Sequence, residues 1–101
     1  MPERLIAKKS EIGDGEAHRF VVDGTEVLLC NAGGEIYAVE DICTHDGGAL
    51  DQGQLEGVRI VCPRHGATFD VRTGEALTLP AVMPLPTYTV RIDGEDIYVT
   101  V

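Results

Sequence analysis

Short runs of alternating apolar and polar residues, separated by glycine-bearing turns, fill most of the chain. "HRFVV", "EVLLCNA", "EIYAVED", "GVRIVC", "ATFDV", "TYTVRI" and "DIYVTV" are rich in β-branched and aromatic residues and have ordinary strand lengths. Asp23-Gly24 and Gly33-Gly34 stand where tight hairpin turns are wanted, and two alternating runs flank Asp93-Gly94, the strongest hairpin signal. Helical periodicity is nearly absent. Its only candidate is a turn around "GGALDQGQLEG", which the glycines interrupt. "LPAVMPLP", residues 79–86, carries Pro80, Pro84 and Pro86, which exclude a central strand and predict a stiff extended loop. The pattern predicts an all-β fold, an antiparallel sandwich or small barrel.

Composition narrows the function classes. A chain of 101 residues is one domain by length, and no internal repeat, linker or low-complexity tract divides it. With 44% hydrophobic and 25% charged residues and no long apolar run, it is neither disordered nor membrane-spanning. The apolar part of the N-terminus, Leu5 to Ala7, is too short for the core of a secretion signal, so a cytoplasmic location is expected. Asp and Glu outnumber Lys and Arg 17 to 8, for a net charge of −9. That surface repels nucleic-acid phosphates and anionic lipid, and favours encounter with a basic protein partner.

Three cysteines without a secretion signal argue against a disulfide framework. Two of them belong to a pattern: Cys43-x-His45, sixteen residues, then Cys62-x-x-His65. Each half is a chelating pair on a short loop. Gly47, Gly48 and Gly66 let backbone N–H groups approach a bound group, and Pro63 stiffens the second loop. Two thiols and two imidazoles fit a structural zinc site, or a 2Fe–2S cluster with thiolates on one iron and imidazoles on the other. Two interlocked pairs argue against incidental core residues, and each pair mixes Cys with His, unlike the usual zinc finger. Elsewhere, Cys30 in an apparent strand reads as core packing, His18 as a surface residue, Asp46 as a solvated loop carboxylate, and Phe69 as core beneath the second loop.

"CTHDGG" at 43–48 and "CPRHG" at 62–66 resemble the cluster-binding motif of Rieske iron–sulfur proteins. The likeness extends through "TFDVRTGEAL", the proline-bearing loop and the terminal hairpin. The whole chain is most similar to Rieske-type ferredoxins, the soluble electron carriers of bacterial ring-hydroxylating dioxygenase systems. The resemblance implies an all-β, Rieske-like sandwich or barrel over residues 1–101, with a small cluster-binding part at about 41–79. It also implies one 2Fe–2S cluster, with Cys43 and Cys62 on the inner iron and His45 and His65 on the outer. The implied role is one-electron carriage from a flavoprotein ferredoxin reductase to a terminal oxygenase or other redox enzyme. The chain would then be no enzyme itself, with no nucleic-acid or membrane partner.

The chain departs from the high-potential branch of that family. Where cytochrome bc-type Rieske proteins carry two further cysteines joined in a disulfide, it has Gly48 and Arg64. Where they place a serine and a tyrosine hydroxyl near the cluster, it has Ala67 and Phe69. Fewer donors stabilise the reduced cluster less, so the potential is expected near the low end of the Rieske range, roughly −150 mV. A terminal oxygenase also needs a mononuclear iron on two His and one carboxylate, and only His18 is left to supply it. Two other readings remain: a redox-silent accessory subunit like the small subunit of assimilatory nitrite reductases, and a zinc-stabilised binding domain. Retention of all four ligand residues argues against the first.

Overall fold

The computed structural model describes residues 3–44, 47–51, 53–63, 66–79 and 83–101, among which the chain is almost entirely β. The strands are β1 (Glu3–Lys8), β2 (Ala17–Val22), β3 (Thr25–Ala32), β4 (Glu35–Glu40), β5 (Gln54–Glu56), β6 (Arg59–Val61), β7 (Thr68–Asp70), β8 (Thr87–Asp93) and β9 (Asp96–Thr100). A single 3-10 turn, Lys9–Glu11, is the one helical element among the described residues. Six strands pair antiparallel in the order β1-β9-β8-β4-β3-β2, with β1 meeting β2 to make a nearly closed barrel. The other three form a small antiparallel sheet, β5-β6-β7, inserted between β4 and β8.

Strand β3 joins the two parts because both of its faces are covered. Val27 and Leu29 point into the barrel core with Ala7, Ile12, Ile36, Ala38, Ile97 and Val99. Leu28 and Cys30 point the other way, into a second core with Val39, Leu50, Ile60, Phe69, Val71 and Leu85. A strand buried on both faces needs a continuous apolar run rather than strict alternation, and "VLLC" supplies one. The small sheet therefore rests on the back of the β3–β4 hairpin, and the loops after β4 and β6 rise from one apolar floor.

The fold matches the all-β expectation, and the differences have local causes. The hairpins at Asp23-Gly24 and Gly33-Gly34 form as read, with Val22 opposite Thr25 and Ala32 opposite Glu35. In the last hairpin Asp93 pairs with Asp96, so the turn is Gly94-Glu95, one residue later than the Asp93-Gly94 signal. No helical turn forms among the described residues of "GGALDQGQLEG". Leu50 is drawn fully into the second core, and Gln54–Glu56 becomes β5 instead. Between them Gly53 packs onto the Val61 carbonyl, where an added Cβ would lie 1.8 Å from the oxygen. That contact leaves no room for any other residue.

Candidate metal centre

Two loops carry the predicted ligands, and their backbones are built alike. In the loop after β4, the Cys43 N–H donates to the Gly48 carbonyl (2.6 Å) and the Cys43 carbonyl accepts from the Gly47 N–H (2.7 Å). In the loop after β6, the Cys62 N–H donates to the Ala67 carbonyl (2.7 Å) and the Cys62 carbonyl accepts from the Gly66 N–H (3.1 Å). The two bonds span the same number of residues in each loop. Gly47 and Gly66 hold matching left-handed conformations, with φ of 77° and 75°. Glycine takes that φ without steric cost, and so closes each turn directly behind its cysteine. The predicted ligands His45 and His65 fall within these loops. With Asp46, Arg64 and Pro80 they lie outside the described residues.

The cysteines themselves are buried. Cys43 is 0% exposed and Cys62 1% exposed, and both belong to the core of Leu28, Leu50, Ile60, Phe69 and Leu85. None of the three cysteines forms a disulfide. Phe69 and Ala67 are wholly buried in the same core, Phe69 as expected, and neither side chain offers a hydroxyl. Cys30 shares this core too. Burial, with Asp41 nearby, pushes its thiol up to about 12, so it stays protonated and packs as a small apolar residue. His18 is half exposed and stands 3.1 Å from Glu16 on the outer surface, as expected.

A third segment is tied to the ligand loops. The Thr44 hydroxyl, next to Cys43, donates to the Met83 carbonyl of the proline-bearing loop at 2.7 Å. The Leu85 N–H of the same loop donates to Gly74 at 2.7 Å, and Leu85 itself is buried. Thr78 meets Thr68 through their hydroxyls at 2.9 Å and fixes the start of the segment against β7. Of the two described prolines there, Pro84 and Pro86, each adjoins Leu85, which enters the second core.

Sequence reading missed Asp41 and Thr44. Asp41 is fully buried two residues before Cys43, and its carboxylate accepts the Leu50 N–H at 2.8 Å. Burial holds its carboxyl above the usual carboxylate range, against the opposing pull of the Leu50 N–H. Nothing in "EDICTHDGG" marks either residue, because the partners lie well along the chain, nine positions on for Asp41 and 39 for Thr44.

The donor set fits an iron–sulfur group. Two thiolates in an apolar pocket are costly to bury unless a positive centre balances them, and a diferric 2Fe–2S core does so. Two preformed loops presenting buried cysteines from one floor make the inner half of such a site. No helix among the described residues is long and apolar enough to cross a membrane.

Comparison with known proteins agrees with this geometry. The profile of the family described as "Rieske [2Fe-2S] domain" matches residues 3–89. The ferredoxin component of biphenyl 2,3-dioxygenase from Rhodococcus jostii (strain RHA1) is 42% identical over 94 residues, covering 93% of this chain and 88% of that protein. The solved ferredoxin of carbazole 1,9a-dioxygenase from Nocardioides aromaticivorans IC177 superposes with a TM-score of 0.95 at 35% identity, covering 99% of this chain and 98% of that one. A chain in a solved complex of reduced oxygenase and oxidized ferredoxin in carbazole 1,9a-dioxygenase matches with a TM-score of 0.92 at 31% identity, covering 97% and 92%.

Proposed function

The chain belongs to the Rieske 2Fe–2S domain family, and from that premise we propose that residues 1–101 form one electron-carrying domain whose cluster-binding part is about 41–79. Cys43 and Cys62 hold the inner iron of a single 2Fe–2S cluster, and His45 and His65 the outer. The observation that carries this reading is the pair of matched loops, each closing behind a buried cysteine. When bound, the cluster would supply a one-electron couple whose potential is set by its ligands, by hydrogen bonds to its sulfurs and by burial.

The chain's own residues decide how that couple is used. Leu28, Leu50, Ile60 and Phe69 keep water from the inner thiolates. The turns behind Cys43 and Cys62 fix both sulfurs before binding, so little reorganisation accompanies electron gain or loss. Ala67 and Phe69 give no hydroxyl to the reduced state, which supports a potential near the low end of the Rieske range, roughly −150 mV. The carrier takes its electron from a flavoprotein ferredoxin reductase and gives it to a terminal oxygenase or other redox enzyme. The dioxygenase ferredoxins it resembles support that placement. A cytoplasmic location suits such partners.

Absorption and electron paramagnetic resonance before and after dithionite test the reading. A brown protein that gains a mixed-valence signal on reduction is expected, and His45→Ala or His65→Ala should abolish the signal. Colourless protein containing zinc, or a clearly positive midpoint potential, overturns it.

A further inference from the structure

Asp41 is a buried charge with no role in ligation. It follows the end of β4, two residues before Cys43, and is 0% exposed. Its Oδ1 accepts the Leu50 N–H at 2.8 Å, and the Asp51 N–H also donates to the carboxylate. Its own N–H donates to the Glu26 carbonyl at 2.9 Å. The side chain thus spans the foot and the far end of the first ligand loop. Among the described residues its cationic neighbour is the Arg19 guanidinium, 3.4 Å from Oδ2 but partly exposed, and shared with Glu26 at 3.0 Å. Asp51 adds a further negative charge close by.

Holding the loop needs only acceptors, which a neutral side chain supplies in part. A carboxylate in an apolar core is costlier. Its influence reaches one thiol of that core: at Cys30, Asp41 reinforces burial in resisting a negative charge.

We propose that Asp41 is a positioning residue of the metal centre that closes the first ligand loop and, as a fixed negative charge beside it, opposes addition of an electron. The inference rests on the cluster reading above. Two intervening peptide units and a ligand bond would leave the carboxylate on the order of 10 Å from an iron held by Cys43. At the effective dielectric of a protein interior, a unit charge at that range shifts a one-electron equilibrium by about tenfold, or about 59 mV.

The test is a redox titration of the purified holoprotein, followed by absorbance with dithionite as electron donor, in Asp41→Asn, Asp41→Glu, Arg19→Gln and the double variant Asp41→Asn/Arg19→Gln. Asp41→Asn should favour the reduced state by about tenfold. Arg19→Gln should shift the equilibrium the opposite way by about threefold, less because Arg19 is partly solvated. Asp41→Glu should restore most of the wild-type value, and the double variant should fall between the single ones. An Asp41→Asn protein with an intact reduced-state signal but an unshifted potential overturns the proposal. Should that variant fail to retain its cluster, Arg19→Gln decides, since it leaves the Leu50 and Asp51 donors in place; no shift there is equally fatal. A wild-type protein without a mixed-valence signal fails the cluster reading instead, so the two failures are distinct.

Discussion

Asp70 ends β7 and organises the turn beyond it. Its carboxylate accepts the Arg72 N–H and Nε through Oδ1 (2.8 and 3.1 Å) and Nη2 through Oδ2 (2.8 Å), while its carbonyl takes the Gly74 N–H at 2.6 Å. The Arg72 hydrogen bond holds the Asp70 carboxyl below the ordinary carboxylate range. A depressed carboxylate stabilises the fold above its unfolded value, near pH 4, and the contribution is lost as pH falls through its folded value. Asp70→Asn should cost about 2 kcal/mol at neutral pH, as expected for hydrogen bonds to a charged group, and flatten stability loss below pH 4. Urea midpoints by circular dichroism across pH 2–7 measure both; an acid limb identical in the variant would remove Asp70 from this role. Asp70 and Arg72 are near neighbours in sequence, so such a pair is within reach of sequence reading. The ligand pattern was legible for the same reason, since chelating side chains must sit a few positions apart. Asp41 and Thr44 were not, because their partners become neighbours only after the chain has folded.

Strands were legible where alternation was clean and long. In β1 a register shift between Leu5 and Ala7 lets Tyr98 and Ile97, adjacent on β9, face residues two apart, so "ERLIAK" never shows a period of two. Leu5 is also largely exposed, which removes the strongest apolar cue. β5 is only three residues long and follows a glycine-rich stretch, leaving no window for a pattern to appear. The proline-bearing loop was legible as extended but not in its moorings. One is the Thr44 hydroxyl on Met83. Another is Gly74, with φ of 80° and a position where an added Cβ would clash with the Leu85 carbonyl oxygen. Thr44→Val should cost about 1 kcal/mol, with Thr44→Ser close to wild type. Gly74→Ala combines a disfavoured φ with a backbone clash and should cost roughly 2–3 kcal/mol. Thermal and urea midpoints of the three variants give the ranking. A Gly74→Ala protein no less stable than Thr44→Val would mean that the loop is not seated on Gly74.

Charge is organised across the entire protein. Every described arginine lies within ion-pair distance of a carboxylate: Arg4 with Asp23, Arg19 with Glu26 and Asp41, Arg59 with Glu56, Arg72 with Asp70, and Arg91 with Glu3. Local cancellation leaves the net −9 spread over the remaining acidic groups, so the far field is negative even where arginines sit. The molecule measures 37 × 27 × 19 Å. At about 0.01 M salt the screening length is about 30 Å and the whole charge acts together, whereas at 0.15 M it is about 8 Å and only nearby groups are felt. A carrier with this field meets cations faster than anions, and salt should remove the difference. Stopped-flow oxidation of the dithionite-reduced protein offers a partner-free measurement, with hexaamminecobalt(III) as the cationic oxidant and ferricyanide as the anionic one. Between those salt concentrations the cobalt rate should fall and the ferricyanide rate should rise, each by several-fold. Parallel salt dependences would show that the exit for the electron is shielded from the acidic surface, and the net charge would then serve solubility rather than encounter.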